Sequence, residues 1–486
     1  MQRSEDPLVT PEGWLHRGDA FVTGDGVQLA VFGGIPGERA RVRLTGNHRK
    51  QDRARWIASV GASDPARVTP WCDRYAPCGR CPLMHVHPIG QHDVIRGLVQ
   101  DGIDAAGLQG RVDAPIPALP TPALPDLATI TGRSTRHPRT ELQYELNLVA
   151  GYSDQRSPRI GVPGHDGRDV VPIPGCLMVP ETLRETMKVL AHHVRELEIW
   201  PWNGKVGTLR AVHLRASPVT GEVGVLLSVT RPSPMLTDLA DRLASAHPAI
   251  AGVAMHISTP PGYTWDRGED GELGVGMLYG KALFDLSPGG FAMRLGFSDP
   301  WPARPDEPAL LDAVDALAGR PGDAAVEIGG TNGVGTLLLS RRTGWALGLG
   351  LPEARARRAR ENNAAGPSTG AADFVSGPVI EGLAAAYSRL DGRRPLVLLN
   401  AGTKGIPDEV LDAVLALDPR RVVLLGANPR SFGKNLKRLT AGLNVVRVTP
   451  HDVAPNTPFA EVVAVLESED RSLPTARAPR RKVVRG

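Results

Sequence analysis

The stretch Arg67–His85, RVTPWCDRYAPCGRCPLMH, holds three of the four cysteines in a chain of 486 residues. Cys72, Cys78 and Cys81 follow a C-x5-C-x2-C spacing, and Cys176 stands alone in PIPGCLMVP. Four cysteines in so long a chain are too few for a disulfide framework, whereas close spacing of this kind is typical of metal ligands. The pattern therefore predicts a metal site that takes up all four thiols.

Two kinds of metal group accept four cysteine thiolates. A [4Fe-4S] cluster binds one cysteine sulfur at each of its irons. A single zinc ion also accepts four cysteines, although this spacing is less typical of zinc ribbons and knuckles. The cysteine spacing alone leaves both groups open.

The residues before the cysteines, 12–62, combine alternating strands with an excess of basic side chains. Val27, Leu29 and Val31 alternate with other residues after a glycine-containing turn, which predicts the short strands of a small OB-like β-barrel. Guanidinium groups make charged, bidentate contacts to phosphate oxygens, so we interpret the basic face as a binding site for a nucleic-acid backbone. Its residues are Arg39, Arg41, Arg43, Arg49, Lys50, Arg53 and Arg55.

The end of the chain, residues 471–486, is also basic, with six Arg or Lys residues and no acid. Such a tail either contacts nucleic acid or is a solvated, disordered extension, and the sequence leaves both open. The net charge of the whole chain is only +4. No run approaches the roughly 18 apolar residues of a membrane span and no signal peptide is evident, so we expect a cytoplasmic protein without a membrane partner.

Residues 63–305 are predicted to form a central α+β domain that contains the cysteines. Strand-like alternation occurs in residues 140–152 and again around His213 and Arg215. These two side chains could face RNA, but we expect them simply to lie at the surface. Five prolines in residues 112–130 indicate a linker or a stiff surface loop.

From residue 306 to residue 470, strands and helices alternate, which predicts a doubly wound sheet with crossover helices. The first strand runs into EIGGTNGVG, residues 327–335, a glycine turn that opens a helix. Backbone amides in such a turn can receive a nucleotide-like ligand, although many such turns only let a helix pack tightly. A last strand follows Glu461. The other predicted strands are Ala324–Ile328, Trp345–Leu349, Ala372–Val375, Pro395–Asn400, Arg421–Gly426 and Leu443–Val448.

The order of these parts resembles the RNA uridine-5-methyltransferase family, most specifically in Arg67–His85, which matches the family's proline, cysteine spacing and closing histidine. The resemblance covers nearly the whole chain. It implies a multidomain α/β fold with an OB-like TRAM barrel, a central iron-sulfur domain and a Rossmann-like class I methyltransferase domain for S-adenosylmethionine. It also implies a [4Fe-4S] cluster on the four cysteines, with zinc as the alternative, and tRNA or rRNA as the partner of a monomer.

Methylation of uracil at C5 needs a thiolate that adds to C6 and a base that later removes the C5 proton. In the resembled family the thiolate stands in a Ser-Cys-Asn-Pro turn, where this chain reads LLGANPRSF and places Ala427 at the cysteine position. Asn428 keeps the turn. Glu461 matches the family's proton-abstracting glutamate, although Phe459 replaces its usual histidine neighbour. We therefore expect no nucleophile, with Glu461 as the candidate base and Asn428 as a second candidate.

The cofactor contacts that the resemblance implies have diverged in parallel. The family's Asp-x-x-x-Gly-x-Gly loop is matched by residues 327–333, with only the second glycine retained. Leu351 stands where the family has an acid that holds the ribose, and Glu353, two positions after Leu351, becomes the ribose candidate. Met293 stands where the family has a glutamine that touches the cofactor. The candidate cofactor residues are Glu327, Gly329, Gly333, Glu353 and Asn400.

Three functions are compatible with these residues. The first is a non-catalytic RNA-binding relative that keeps the barrel, the cluster and the fold. The second is an active RNA methyltransferase whose target is an exocyclic nitrogen or a ribose hydroxyl, which needs no covalent thiolate. The third is a scaffold for a protein partner with a structural cluster. The absent nucleophile favours the first, and whether the protein is an enzyme stays open.

Overall fold

Within the residues it describes, a computed structural model of the protein has three sheets of six or seven strands and one two-stranded hairpin, with helices packed against them. It describes residues 6–24, 27–48, 51–110, 112–113, 144–152, 157–165, 169–260, 265, 267, 272–302, 304, 306–366 and 370–468. Outside these ranges lie the candidate residues Arg49 and Lys50, most of the proline-rich segment, and the basic tail 471–486.

The N-terminal sheet consists of β1 Leu8–Val9, β2 Gly13–Trp14, β3 Ala20–Gly24, β4 Val27–Phe32, β5 Ala40–His48 and β6 Gln51–Ser59. Its strand order is β1-β5-β6-β4-β3-β2, and only β4 and β6 run parallel. Val31, Ala40, Val42 and Ala54 form the buried centre, as the alternating sequence predicts. Val27 is exposed instead, because it is the first residue of β4 and lies at the end of this small core.

The cysteine segment contains one helical turn, α1 Tyr75–Cys78, and leads into the long helix α2 Pro88–Ala105. A proline in the first helical position suits the start of α2, where a backbone N–H would have no partner inside the helix. The segment between the two helices therefore carries Cys81 and His85 in non-helical backbone.

The central sheet has the strand order β13-β12-β11-β10-β7-β8-β9 and is antiparallel except for the pair β11 and β12. Its strands are β7 Glu145–Tyr152, β8 Pro158–Pro163, β9 Val170–Val171, β10 Leu209–Ala216, β11 Val223–Val229, β12 Ile250–Ile257 and β13 Gly276–Gly280. Two amphipathic helices, α3 Glu181–Glu196 and α4 Pro234–Ala246, bury their leucines against it. A separate hairpin follows, formed by β14 Leu283–Leu286 and β15 Met293–Gly296.

The C-terminal sheet has the doubly wound form that the sequence predicts. Its strands are β16 Ala325–Ile328, β17 Trp345–Leu351, β18 Ala371–Ser376, β19 Leu396–Gly402, β20 Arg421–Gly426, β21 Asn444–Asp452 and β22 Ala460–Glu467. The order is β18-β17-β16-β19-β20-β22-β21, in which β22 runs antiparallel to both of its neighbours. The helices of this part are α5 Pro308–Ala316, α6 Val334–Thr343, α7 Glu353–Ala365, α8 Val379–Leu390, α9 Asp408–Ala416 and α10 Pro429–Leu439.

Helix α2 packs on the C-terminal sheet rather than on the central one. Val99 and Ile103 of α2 belong to the same buried cluster as Leu399 and Phe432. Helix α2 thus covers a face of the C-terminal sheet, although it lies within the residues 63–305 of the predicted central domain. None of the helices in the described ranges is long and apolar enough to span a membrane.

Two glycines let α2 and α10 approach each other closely. A Cβ atom at Gly102 would lie 2.5 Å from the carbonyl oxygen of Pro429, and one at Gly433 would lie 2.2 Å from the carbonyl oxygen of Gly102. Gly97, on the same helix, has open space around the position of a Cβ atom.

We expect Gly102→Ala to lower the melting temperature, because the methyl group would push α2 off α10 at a cost of about 1–3 kcal/mol. Gly97→Ala is the matched control and should leave stability unchanged or raise it by up to about 1 kcal/mol, since alanine favours an exposed helix interior. Differential scanning calorimetry of both variants compares the two sites. Equal melting temperatures would show that the helices do not meet as described.

Candidate functional site

The four cysteines converge although Cys176 is distant in sequence. All four are free and half-buried, and each of the six thiol pairs is close enough to interact electrostatically. Burial raises the pKa of Cys81 most, and the neighbouring thiols Cys176, Cys78 and Cys72 raise it further. Four converging thiols that repel one another when ionised are a donor set that a cationic metal group stabilises.

Backbone amides already point at three of the sulfurs. The N–H groups of Arg74, Arg80 and Met178 each donate to the thiol two residues earlier, and each contact lowers the pKa of that cysteine against the effect of burial. The guanidinium of Arg80 acts in the same direction on three of the four thiols. Such N–H···S contacts and a nearby cation favour thiolates, so Cys72, Cys78, Cys81 and Cys176 fit a thiolate-bound metal group.

His85, which closes the cysteine motif, is committed to hydrogen bonds rather than to a metal. Its Nδ1 lies 2.8 Å from the hydroxyl of Tyr75, and its Nε2 lies 3.0 Å from the carbonyl oxygen of Gly34. Burial lowers the pKa of His85 to about 4, so the imidazole is neutral at pH 7. The histidine therefore joins the cysteine segment to the N-terminal sheet.

The glycine turn after β16 is closed by Glu327. This buried carboxylate accepts hydrogen bonds from the backbone N–H and the hydroxyl of Thr336, both at 2.6 Å, in the first turn of α6. Burial raises the pKa of Glu327, and the two Thr336 contacts oppose that effect. The carboxylate thus fastens the helix to the strand and is already occupied by the protein's own groups.

The two candidate glycines of this turn have packing roles. Gly329 and Gly333 have φ angles of +82° and +80°, which favour glycine. A Cβ atom at Gly329 would lie 2.5 Å from the carbonyl oxygen of Asn400, and one at Gly333 would lie 2.7 Å from the Cβ of Ala359. The side chain of Asn400, at the carboxyl end of β19, makes no hydrogen bond to the described residues.

Two residues that the resemblance aligns with polar cofactor contacts, Met293 and Leu351, are buried together. Met293 and Leu351 are 4% and 2% exposed and belong to one hydrophobic cluster with Val334 and Phe374. An apolar cluster offers no partner for ribose hydroxyls or an amino group. The polar contacts of the family are therefore replaced by a packed interior at these two positions.

Glu353, the candidate ribose residue, is exposed at the start of α7 and already paired. Its carboxylate accepts hydrogen bonds from Arg360 at 3.0 Å and from the hydroxyl of Ser376 at 2.5 Å. The Arg360 contact, followed by that of Ser376, lowers the pKa of Glu353.

The turn after β20 contains Ala427 where a nucleophile is expected in the resembled family. Asn428 is the N-cap of α10, and its side-chain oxygen accepts hydrogen bonds from the backbone N–H groups of Arg430 at 3.0 Å and Ser431 at 3.4 Å. Its predicted catalytic role therefore competes with a capping role, which an asparagine followed by a proline signals in the sequence.

Glu461 lies in β22 directly opposite His451 of β21. Burial raises the pKa of Glu461, while His451 and then Arg304 lower it in part. His451 itself is bound through Nε2 to Asp312 at 3.0 Å. The candidate base is thus a half-buried carboxyl group that holds its proton more strongly than an exposed glutamate does.

A second carboxyl group, Glu307, faces this region and was not predicted from the sequence. Burial, together with the charges of Glu461, Glu327 and Asp306, raises the pKa of Glu307 to about 8. Its backbone has a φ angle of +46°, a strained conformation for a residue other than glycine. Only the fold brings these carboxyl groups together, and grouped carboxyls with raised pKa values are typical of sites that transfer protons.

The predicted basic face is only partly free. Arg39, Arg41 and Arg43 are exposed, and Arg43 pairs with Asp6 at 2.9 Å. Arg53 instead donates through Nη1 to the carbonyl oxygen of His165 at 2.7 Å, next to the cysteine segment. Arg55 is half-buried and lies opposite Arg43 in the sheet.

Relatives that align along almost the whole chain are described as uncharacterized RNA methyltransferases. One from Geobacter sulfurreducens is 24% identical in an alignment 470 residues long that covers 92% of this chain and 87% of the relative. One from Caldanaerobacter subterraneus is also 24% identical and covers 93% of this chain and 96% of the relative. No model of a known protein family matches the chain.

Among solved structures, the Pyrococcus abyssi tRNA (uracil-54, C5)-methyltransferase in complex with S-adenosyl-L-homocysteine shares this fold, with a TM-score of 0.67 and 17% identity. The match covers 95% of this chain and 100% of that one. The fold is thus a multi-sheet α/β architecture with a Rossmann-like methyltransferase domain. The findings agree with the predicted resemblance: the chain is similar over almost its whole length to proteins described as RNA methyltransferases, and it shares the fold of a tRNA (uracil-54, C5)-methyltransferase.

We expect protein purified under nitrogen to be brown and to contain both iron and acid-labile sulfide, because four thiolates suit an iron-sulfur cluster. Cys176→Ser should lose the visible absorption and most of the iron. Asp73→Ser, an exposed neighbour of Cys72 that supplies no ligand, is the control and should keep both. Colourless protein with one zinc ion per chain would contradict the iron assignment.

We expect Glu307→Gln to gain stability relative to the native chain as the pH rises from about 4.5 to 8. In this window the folded state retains a proton on Glu307 that the unfolded state has lost, so native stability falls with rising pH by roughly 2–4 kcal/mol. Urea unfolding at several pH values measures the difference between the two proteins. Exposed Glu381→Gln should show a flat difference, and the same flat profile for Glu307→Gln would rule out the raised pKa.

Proposed function

We propose that the protein is an RNA-binding member of the RNA methyltransferase family that does not methylate uracil C5 through a cysteine. One observation carries this proposal: Ala427 occupies the turn between β20 and α10, and all four cysteines of the chain converge elsewhere, at the predicted metal site. A methyl side chain cannot add to C6 of uracil, so C5 does not become nucleophilic by that route.

The cofactor region supports the same conclusion. The full-length relatives and the neighbour solved with S-adenosyl-L-homocysteine make S-adenosylmethionine the ligand to test. The residues of this chain fit it poorly, because Met293 and Leu351 are buried apolar side chains and the carboxylates of Glu327 and Glu353 are already hydrogen-bonded. We therefore derive no methyl-transfer step for this chain.

The metal group we propose for the four cysteines is a [4Fe-4S] cluster. Among the described residues, no three cysteine sulfurs lie within 4.8 Å of one another. Sulfurs bound to one zinc ion lie about 3.8 Å apart, given Zn–S distances of about 2.3 Å, whereas a cluster binds each sulfur at a separate iron. The wider spacing therefore favours the cluster, which would cross-link the cysteine segment to the loop of Cys176.

An active methyltransferase with another target atom is the second candidate. The neighbouring carboxyl groups of Glu461 and Glu307 favour it, because a carboxyl group with a pKa of about 8 can take up or release a proton near neutral pH. Such chemistry on an exocyclic nitrogen or a ribose hydroxyl would need no thiolate.

We expect tRNA or rRNA fragments to bind with an affinity that falls steeply as salt increases, because phosphate contacts release counterions. Replacing Arg39, Arg41 and Arg43 with glutamine should reduce the slope of log K against log[salt] by about 2–3. A control with the same loss of charge uses other exposed, ion-paired arginines. These are Arg242, Arg342 and Arg438. Equal slopes for both triple variants would move the RNA-binding face elsewhere.

We expect isothermal titration calorimetry to detect no micromolar binding of S-adenosylmethionine to the native chain, because the polar contacts at positions 293 and 351 are missing. Leu351→Asp restores the family's ribose acid and should strengthen binding if the cofactor lies in this region. Micromolar affinity of the native chain would contradict the non-catalytic proposal and support the second candidate.

A further inference from the structure

A cavity of about 640 Å³ lies between the central part of the chain and helix α7. Its walls come from residues 272–275, from residues 296–299 after β15, and from the first turns of α7. The sequence of α7 is rich in arginine, and Arg355, Arg357 and Arg358 all line the cavity. None of the functions considered above uses these residues.

A buried hydrogen-bond network fixes the wall formed by residues 296–299 on the side away from the cavity. Arg215 donates through Nη1 to the carbonyl oxygens of Gly296 at 3.0 Å and Phe297 at 3.1 Å. Glu145 accepts hydrogen bonds from Arg215 at 3.0 Å and from His213 at 2.5 Å. His213 and Arg215 were expected at the surface, but both are buried because they brace this wall.

The acids that line the cavity are already paired with arginines. Asp299 accepts hydrogen bonds from the Gly296 backbone at 2.7 Å and from Arg358 at 3.2 Å. Glu272 lies 3.4 Å from Arg357. Three arginines line the cavity against these two carboxylates, so the lining keeps a net positive charge.

Arg355 forms no hydrogen-bonded ion pair with the described residues, although the charge of Asp299 favours its guanidinium at longer range. Its Nε atom is fully buried and makes no hydrogen bond to the described residues. The guanidinium lies close enough to Arg267 for the two positive charges to repel each other, and Arg267 donates to the carbonyl oxygen of Ser298 in the cavity wall. Asp299 offsets part of this repulsion, and an anion that bridged the two guanidinium groups would offset the rest and give the buried Nε–H an acceptor.

We propose that this cavity binds a phosphate group of the RNA strand through Arg355, with the neighbouring Arg267 adding positive charge. The inference rests on the proposed RNA-binding function and adds a second contact region to the N-terminal basic face. Guanidinium groups bind phosphate oxygens in a bidentate way, and the volume lies within the roughly 300–1,000 Å³ of ligand sites, which suits a nucleotide of a strand. The exposed Arg357 extends the positive surface at the rim.

Fluorescence anisotropy with labelled tRNA tests the proposal on the full chain. Arg355→Gln should weaken binding about tenfold at 0.1 M salt and reduce the salt slope by about 1, equally for different sequences. Arg389→Gln removes the same charge from an exposed ion pair on α8 and should change neither value. Calorimetry with uridine monophosphate separates a free nucleotide from a phosphate of the strand.

The possible results distinguish a failure of this inference from a failure of the proposed function. Unchanged RNA binding by Arg355→Gln, with intact binding by the native chain, overturns this inference alone. No RNA binding by the native chain overturns the proposed function and the inference with it. Uridine monophosphate binding that depends on Arg355, without an effect on RNA, assigns the cavity to a free nucleotide instead. The melting temperature of Arg355→Gln should stay level or rise, and a fall of several degrees would show a structural role for Arg355.

Discussion

The hydrogen bonds between Gln91 and Asn456 tie the cysteine segment to the C-terminal sheet. The side-chain oxygen of Gln91 accepts the backbone N–H of Asn456 at 3.1 Å, while its amide group donates to the carbonyl oxygens of Leu83 at 3.0 Å and Val86 at 2.8 Å. The backbone of Leu83 donates in turn to Asn456 at 2.9 Å. All of these groups are buried, so breaking one bond would leave unsatisfied polar atoms in the interior.

Through this contact, two regions of the candidate site are attached to the cysteine segment. The loop that carries Asn456 leads directly into β22 and Glu461, and helix α2 continues from the cysteines to the close contact with α10 behind Ala427. A metal group on the four cysteines would therefore stabilise the structure that supports the site rather than take part in its chemistry. The same framework is intact in a chain with alanine at position 427, so the fold does not depend on a cysteine there.

The sequence predicts the C-terminal sheet well because its parallel strands are buried on both faces and read as short apolar runs, such as residues 421–426. It predicts that the four cysteines come together, because their spacing is typical of metal ligands and the chain has no other thiol. It does not predict that α2 covers the C-terminal sheet, since the apolar stripe of an amphipathic helix does not say which sheet it meets. It also misses Glu307, whose raised pKa arises only from carboxyl groups that folding brings near, and it misplaces Arg215, whose burial depends on carbonyl groups of a distant loop.

The most direct test of the central claim is the amount of 5-methyluridine in tRNA and rRNA, measured by mass spectrometry of nucleosides from cells with and without this chain. The absence of a cysteine at position 427 predicts that deletion leaves 5-methyluridine unchanged in both RNA classes. Loss of 5-methyluridine on deletion, restored by the native gene, would contradict the account.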